Sequence, residues 1–195
     1  MREFIYFSRR AVTTGNFGGD LAQAGRMDIA IHTVIHSFFV SRKRRENVRL
    51  HLFFYGPPTP PRHLEINSHA GDENTSISKK DIAGLIKKLL YKYKKGMRNE
   101  PIPGCFIDNK DMMVFVEELV EQGRSVFILD EKGEDIRTMK IPADPVFIIG
   151  DHEGFPNKEF KRLKKQVNLV SVGEIEYFAS QVLAVVQNEL DRRGI

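Results

Sequence analysis

The chain has 195 residues, 41% of them apolar, and its 30 basic and 26 acidic side chains leave a formal net charge of +4. This composition is typical of a single globular domain. We expect no membrane partner and no signal peptide, because the longest apolar runs are well below the roughly 18 residues that a span needs. The only cysteine, Cys105, excludes an internal disulfide and a multi-cysteine metal cluster, and it favours a reducing cytoplasm.

The first half of the chain is predicted to contain both strands and helices. Apolar periodicity gives a strand at 2–8, a glycine-rich loop at 13–25, a helix at 28–40, strands at 49–55 and 63–67, and a long helix at about 77–95. Asp28 is a candidate N-cap for the first helix. The prolines of GPPTPP (56–61) end the strand before them, because proline cannot stay inside a sheet.

The second half is predicted to alternate strand and helix. The segments are a strand at 105–108, a helix at 110–123, a strand at 125–130 followed by the turn EKGED, a strand at 145–151, a helix at 157–165, a strand at 166–172 and a helix at 174–193. The apolar side of the last helix is predicted to carry Ile175, Phe178, Ala179, Val182, Val185 and Val186. Short apolar strands joined by helices predict an α/β fold with a parallel sheet covered on both faces.

Three basic clusters stand out, at 42–45, 79–98 and 158–165. Any one of them is compatible with an ordinary solvated face. Together, on a small chain, they favour a nucleic-acid partner that is bound through its phosphates. The sequence contains no RNP, KH or zinc-finger signature.

The segment FIIGDHEGFP (147–156) is a buried strand that ends abruptly in a loop. Gly150 and Gly154 would let the backbone approach a ligand at the C-terminal end of that strand, where open parallel sheets bind their ligands. A turn without a ligand is the plainer interpretation. The segment lacks both the phosphate-loop and the dinucleotide spacings. Adjacent residues rarely converge on one ion, and the helical pair His32 and His36 has no evident third ligand, so we expect no metal site.

The same segment, followed by a short helix, LVSVG and a closing helix, resembles the C-terminal half of SPOUT-superfamily RNA methyltransferases. With REFIY, GRMDIAIHTVIHSFFVSRKRRENVRLHLFFYG and VFILDEKGEDI, nearly the whole chain resembles the tRNA pseudouridine N1-methyltransferase (TrmY) family. The resemblance implies one SPOUT domain over 1–195, with an RNA- and substrate-facing half at 1–104. The other half, 105–195, would form a deep trefoil knot, bind S-adenosylmethionine and make a homodimer.

The resemblance also implies an activity and a set of functional residues. The activity is methylation of N1 of pseudouridine at position 54 of tRNA. The implied catalytic residues are Arg26 and Asp28, and the implied RNA contacts are Arg42, Lys43 and Arg45. Seven residues at strand ends match the cofactor loops: Leu129, Ile149, Gly150, Gly154, Ser171, Val172 and Ile175.

Two departures from the family pattern keep other hypotheses open. Thr59 stands where an acidic or amide residue is common, and Ser180, Gln181 and Val182 stand where a cysteine is common. The chain could be a SPOUT enzyme for another RNA base or a ribose 2′-hydroxyl. It could be an RNA-binding relative without turnover. A nucleotide-binding α/β protein unrelated to RNA fits less well, because no phosphate-binding motif is present.

Overall fold

The computed structural model describes residues 1–41, 43–70 and 78–195. Its strands and helices follow in the order β1 (Arg2–Ser8), α1 (Met27–Phe38), β2 (Phe39–Val40), β3 (Lys43–Arg44), β4 (Val48–Phe54), β5 (Arg62–Asn67), α2 (Lys79–Tyr91), β6 (Asn99–Ile102), β7 (Cys105–Asp108), α3 (Met112–Glu121), β8 (Val126–Asp135), β9 (Val146–Gly150), α4 (Asn157–Leu163), β10 (Asn168–Ser171) and α5 (Ala179–Arg192).

Eight strands form one sheet in the order β10-β8-β9-β1-β4-β5-β7-β6. The five strands from β10 to β4 are parallel, which confirms the predicted α/β class and the parallel part of the sheet. The three strands β5, β7 and β6 are antiparallel and extend the sheet at one edge. The β6–β7 hairpin contains the predicted boundary between residues 104 and 105. Strand β7, the first strand after that boundary, pairs with β5 near one edge of the sheet, whereas β8 and β9 lie toward the other edge.

Helices cover both faces of the sheet. Side chains of β1 alternate between the faces: Phe4 and Tyr6 belong to one hydrophobic core, and Ile5 and Phe7 belong to the other. Helices α1, α2 and α5 pack on the first face, and α3 and α4 pack on the second. This arrangement leaves the C-terminal edge of the parallel strands uncovered by helices, and the connecting loops converge there.

The starts of two helices differ from the predictions in a way that bears on the site. Helix α1 begins after Arg26, whose backbone adopts the left-handed conformation (φ 61°, ψ 42°), and Asp28 lies in the first turn without capping it. Helix α5 begins only at Ala179, because Phe178 is extended and its N–H donates to Gln181 Oε1 (3.0 Å).

The late start of α5 shifts its buried face. Ile175, Phe178 and Val185, which were predicted to lie on the apolar side, are exposed, and the buried face carries Ala179, Ser180, Leu183, Val186, Gln187 and Leu190. The prediction of one continuous helix from residue 174 was therefore wrong at its N-terminal end.

Strand β8 also differs from the prediction, since EKGED (131–135) belongs to the strand rather than to a turn. Leu169 pairs with Ile128 while the next residue of β10, Val170, pairs with Glu134, so residues 129–133 bulge out between them. Gly133 passes so close to β10 that a Cβ there would lie 2.4 Å from the Val170 nitrogen. The bulge points its residues toward the C-terminal edge of the sheet.

Candidate active site

A cavity of about 420 Å³ lies at the C-terminal ends of β8, β9 and β10. We call it the acidic cavity, after the acidic residues in its lining. Its size is within the range of small-molecule sites. Six of the seven strand-end residues singled out in the sequence line it: Leu129, Ile149, Gly150, Gly154, Val172 and Ile175. The structure brings these residues together from three separate segments, and their contact with a cofactor stays a prediction.

The seventh residue, Ser171, lies just outside the cavity lining. Its Oγ accepts a hydrogen bond from the Gly173 N–H (3.0 Å) and lies 3.1 Å from the Gly173 carbonyl oxygen. Gly173 itself lines the cavity and has φ 130°, a conformation that favours glycine. Ser171 thus shapes the loop after β10.

The loop after β9 is held in place by Asp151. Its Oδ2 accepts from the Ser8 hydroxyl and the Arg9 N–H, both at 2.9 Å, and its Oδ1 accepts from the Glu153 N–H at 2.9 Å. The loop then folds back over the strand end, because Gly154 adopts φ 65°. A Cβ on Gly150 would lie 3.1 Å from the Phe155 ring, so a larger residue at that position would have to displace the ring or the turn.

The charge of this cavity is negative. Its lining includes the carboxylates of Asp130, Glu131, Asp151 and Glu176, and none of its described lining residues is basic. Apolar walls face these carboxylates, contributed by Leu129, Ile149, Phe155, Phe160, Val172, Ile175 and Val182. Such a site favours a ligand with an apolar body and positive charge, and it disfavours a phosphate.

A second cavity of about 510 Å³, which we call the basic cavity, lies beside the ends of β1 and β4. Its lining contains Arg9, Arg10, Arg26 and His152, and none of its described lining residues is acidic. Arg10 forms an ion pair with Glu153, whereas the Arg9 guanidinium has no hydrogen-bond or ion-pair partner among the described residues. The 151–154 loop belongs to both sites, since Asp151 lines one cavity and the next residue lines the other.

Arg26 and Asp28, the two predicted catalytic residues, contact each other directly. Arg26 Nε donates to Asp28 Oδ1 at 3.0 Å and its Nη2 donates to Oδ2 at 2.9 Å, a bidentate geometry. Arg26 is the one non-glycine residue with positive φ among those described. Strained backbone of this kind clusters at functional sites. The Arg26 guanidinium also lies 6.0 Å from the ring centre of Phe178, which adjoins the acidic cavity.

The ion pair changes the acidity of both partners. The hydrogen bonds from Arg26 lower the pKa of Asp28, and the same contact raises the pKa of Arg26. About a third of each side chain is exposed. At neutral pH Asp28 is therefore a carboxylate that orients Arg26, and its low pKa makes it a weak proton acceptor.

Tyr6 lies beneath both charged groups and was not singled out in the sequence. It is fully buried, and its hydroxyl has no hydrogen-bond partner among the described residues. Burial, with the negative charges of Asp151 and Asp28, raises the pKa of Tyr6. The phenol therefore stays neutral at physiological pH.

The predicted RNA contacts lie elsewhere. Arg45 precedes β4, at the N-terminal edge of the parallel strands, and its guanidinium donates two hydrogen bonds of 2.6 Å to the carboxylate of Asp191. The Lys43 side chain lies on the short strand β3 and is exposed. Arg42 lies outside the described residues. RNA contact by these three residues stays a prediction, and for Arg45 it would require the ion pair with Asp191 to open.

The neighbouring acidic and histidine residues of the 151–153 loop do not converge. Asp151 uses its carboxylate in the three hydrogen bonds above, and Glu153 pairs with Arg10. Over residues 1–41, 43–70 and 78–195, no group of three histidine, cysteine or acidic side chains could hold a metal ion. None of the described helices is long and apolar enough to cross a membrane.

The sequence interpretation missed most of the charged lining. Glu131 follows Asp130 at the end of the apolar run of β8, a position that could have identified it. Glu176 and Tyr177 were assigned to a helix, so their contribution to the cavity could not be seen. Arg9 and Arg10 follow β1 in the same way that Asp130 follows β8, and they were missed for lack of a motif.

A sheet of this topology, with a cavity where the loops of β1, β8, β9 and β10 meet, is typical of α/β proteins that bind small ligands at the C-terminal edge of their parallel strands. A family model described as "Putative SAM-dependent RNA methyltransferase" matches residues 1–195. The chain belongs to this family. The prediction of that family from sequence motifs is confirmed.

Curated relatives and a solved structure agree with this assignment. A tRNA (pseudouridine(54)-N(1))-methyltransferase of Methanococcoides burtonii is 33% identical and covers 98% of this chain and 96% of its own. An enzyme of the same name from Methanocaldococcus jannaschii is 30% identical over 100% and 98%. The crystal structure of Archaeoglobus fulgidus Nep1 bound to S-adenosylhomocysteine has a TM-score of 0.68 at 15% identity and covers 98% of both chains, which shows the fold.

Proposed function

We propose that this protein transfers a methyl group from S-adenosylmethionine to N1 of pseudouridine 54 in tRNA. The observation that carries the proposal is the pair of adjoining cavities of opposite charge, one acidic and apolar and the other basic. Full-length relatives that carry this activity in their names support the choice of substrate.

The residues of the acidic cavity fit S-adenosylmethionine. The cofactor carries a sulfonium and an ammonium group, and it has no phosphate. Carboxylates such as Asp130 and Glu131 complement those charges and can accept hydrogen bonds from ribose hydroxyls. The apolar walls from Leu129, Ile149 and Val172 suit the adenine ring. The tight turn at Gly150 brings backbone close to the cavity, as a cofactor bound by backbone groups requires.

The cofactor supplies an electrophilic methyl group, so the protein's own contribution is to position the base and to manage its N1 proton. Arg26 faces the basic cavity with a permanent positive charge that would stabilise the negative charge left on the base when its N1 proton passes to water. Asp28 fixes the orientation of that guanidinium through two hydrogen bonds. The low pKa of Asp28 favours a role as hydrogen-bond acceptor over a role as the base.

The basic cavity would receive the target nucleotide. Arg9 has an unpaired guanidinium at its rim, available to a phosphate, and Gly25, Gly56 and Pro57 leave part of the lining without long side chains. A base in a folded tRNA loop must leave its stack to enter such a site. RNA phosphates and the cofactor's cationic groups would then meet complementary charge on separate sides of the 151–154 loop.

We also propose that residues 105–195 form the trefoil knot of the SPOUT superfamily and mediate a homodimer. The close passage of Gly133 over Val170 supports a threaded arrangement of β8 and β10. Ile175, Tyr177 and Phe178 are 67%, 43% and 55% exposed next to the acidic cavity, a cluster of apolar surface that a second copy would cover. Light scattering of the purified protein would test the dimer, and Phe178→Asp should yield monomers.

We further propose that the chain is one functional domain that works in the cytoplasm, the compartment that its lone buried cysteine favours. The half at 1–104 supplies Arg9, Arg26 and Asp28 for the substrate. The half at 105–195 supplies the lining of the acidic cavity.

The test of the proposed function has two arms. Calorimetric titrations with S-adenosylmethionine and with NAD should show binding of the former alone. Transfer of labelled methyl to synthetic tRNA should then require pseudouridine at position 54 and fail with uridine there. Methylation of a different nucleotide would identify another RNA target, and cofactor-independent RNA binding without transfer would favour a relative that lacks turnover.

A further inference from the structure

Helix α2 and the turn that follows it carry the largest group of lysines in the chain. Seven lysines lie on the helix and on the turn that follows it: Lys79, Lys80, Lys87, Lys88, Lys92, Lys94 and Lys95. Six of them are exposed and Lys87 is half-buried. None of the seven forms a salt bridge with a carboxylate in the described parts of the chain. The arginines Arg2, Arg45 and Arg98 are paired with acids, whereas the described lysines of 158–165 also lack a salt bridge.

Unpaired lysines in such a cluster repel one another, and the fold does not explain their grouping. The charged face also contains a bare stretch of backbone at Gly84, where an added Cβ would meet no atom within 4 Å. Packing therefore does not require a glycine there, although glycine weakens a helix by about 1 kcal/mol relative to alanine. A partner whose backbone approaches this face closely would account for it.

An exposed aromatic residue lies within the same face. Tyr91 is 63% exposed, one helical turn after Lys87 and adjacent to Lys92. Its ring packs on the backbone of Gly15, since a Cβ on that glycine would lie 2.5 Å from the Tyr91 ring. A tyrosine supported in this way among lysines combines a phosphate-binding charge with a surface on which a base can stack.

The apolar side of α2 decides against a membrane surface as the partner. Basic amphipathic helices bind membranes by inserting their apolar face into lipid. In α2 that face consists of Ile82, Ile86, Leu89 and Leu90, which are between 0% and 4% exposed and belong to the hydrophobic core. They cannot insert without unfolding the protein.

The position of α2 separates it from the catalytic region. It packs on α1 and on the strands β6 and β7. Strand β7 is four strands away from β9, which is about 20 Å at the usual spacing of strands. A ligand that contacts both α2 and the acidic cavity at the end of β9 must therefore be a macromolecule.

We propose that the lysine face of α2, defined by the seven lysines with Gly84 and Tyr91, binds the sugar-phosphate backbone of the tRNA at a distance from the nucleotide being methylated. This inference rests on the proposed function, because it takes tRNA as the substrate. It adds that a large part of the affinity for whole tRNA comes from outside the arm that carries the target base.

The experiment compares two variants of equal charge. Lys88→Gln with Lys92→Gln removes two exposed lysines one turn apart on α2. Lys161→Gln with Lys165→Gln removes two exposed lysines at the same spacing on and just after α4, on the other face of the sheet. Each protein is tested for affinity to whole tRNA at several salt concentrations, and for methylation of both whole tRNA and an isolated hairpin of the T arm.

The α2 variant should bind whole tRNA roughly tenfold more weakly, and the slope of log affinity against log salt should fall by about 1 to 2. Methylation of the isolated hairpin and binding of S-adenosylmethionine should match the wild type. The α4 variant should show a smaller loss of affinity for whole tRNA.

An unchanged salt slope, an equal loss in both variants, or an equal loss on the hairpin would overturn the inference. Binding of the wild type to phosphatidylserine vesicles that is lost in the α2 variant, with tRNA affinity unchanged, would assign the face to membranes instead. Failure of the proposed function is distinguishable, since the wild type would then methylate neither RNA while α2-dependent binding of tRNA persisted.

Discussion

The two cavities at the C-terminal edge of the sheet share one loop and differ in charge. The acidic cavity is lined by Asp130, Glu131 and Glu176, and none of its described lining residues is basic. The basic cavity is lined by three arginines, and none of its described lining residues is acidic. Asp151 and His152 are sequence neighbours, yet they line different cavities. Under the proposed function, this difference would let one strand end serve a cationic cofactor and a polyanionic substrate, since the charge of each cavity disfavours the ligand proposed for the other.

The largest effect is expected from a substitution that fills the acidic cavity and leaves the basic cavity unchanged. Gly150→Val would place two methyl groups against Phe155 and Gly154, whose atoms would lie 3.1 and 3.2 Å from the Cβ alone. We expect affinity for S-adenosylmethionine to fall roughly 10- to 100-fold, because a packed turn adapts poorly to added volume. Calorimetric titration measures the change. Gly18→Val is the control, since a Cβ at Gly18 meets nothing within 4 Å; normal binding by the Gly150 variant would contradict the assignment of this loop.

The second prediction separates catalysis from cofactor binding. Asp28→Ala removes the acceptor of both Arg26 hydrogen bonds, so the guanidinium loses its orientation toward the basic cavity. Methyl transfer should slow by about 100-fold while affinity for S-adenosylmethionine stays constant. Single-turnover assays on the tRNA check the rate, and full activity in this variant would remove Asp28 from the site.

The pH dependence of the Arg26–Asp28 ion pair tests whether Asp28 orients Arg26 or acts as the base. The pKa of Asp28 is lowered by Arg26, so the carboxylate protonates only at pH values below the ordinary range of aspartate. The stability that the ion pair contributes is therefore present above the unfolded pKa and lost as the pH falls through the folded one. We expect Asp28 to cause no change in methylation rate between about pH 6 and 8. A step in that range that disappears in Asp28→Asn would mean that Asp28 acts as the base.

A smaller effect is expected at the rim of the basic cavity. Arg9→Gln removes an unpaired guanidinium, and affinity for tRNA should fall about three- to tenfold with a salt slope reduced by about 1. Binding of S-adenosylmethionine should not change. Arg192→Gln is a matched control, because that side chain is 71% exposed at the end of α5, near the opposite edge of the sheet. An equal loss in both variants would mean that the cavity contributes nothing specific.

The smallest expected effect tests the charge of the acidic cavity. Glu131→Gln should weaken the affinity for S-adenosylmethionine by only about two- to threefold, because exposed carboxylates contribute little. The affinity for S-adenosylhomocysteine should hardly change, since that ligand lacks the sulfonium charge. Competition binding of the two ligands measures the ratio. Glu121→Gln, an exposed acid at the end of α3, serves as the control. A parallel loss for both ligands would show that Glu131 contacts a part of the cofactor common to them.

The sequence by itself determined the α/β class, the parallel strands, the family and six residues that line one cavity. Strand periodicity and a glycine after a strand depend only on residues that are neighbours in the sequence, so they can be recognised without coordinates. It also placed Arg26 and Asp28 together, because they are two residues apart.

Only the tertiary structure decided which residues from distant segments share a site. The bulge at 129–133 depends on the register between β8 and β10, and register is a long-range property. Glu176 and Phe178 leave the helix predicted for them because α5 starts at Ala179. The pairing of Arg45 with Asp191 joins residues 146 positions apart, so sequence reasoning could count Arg45 as a free cation but could not see its partner. The charge of a residue is evident from the sequence, whereas its pairing with an opposite charge depends on the fold that brings the two residues together.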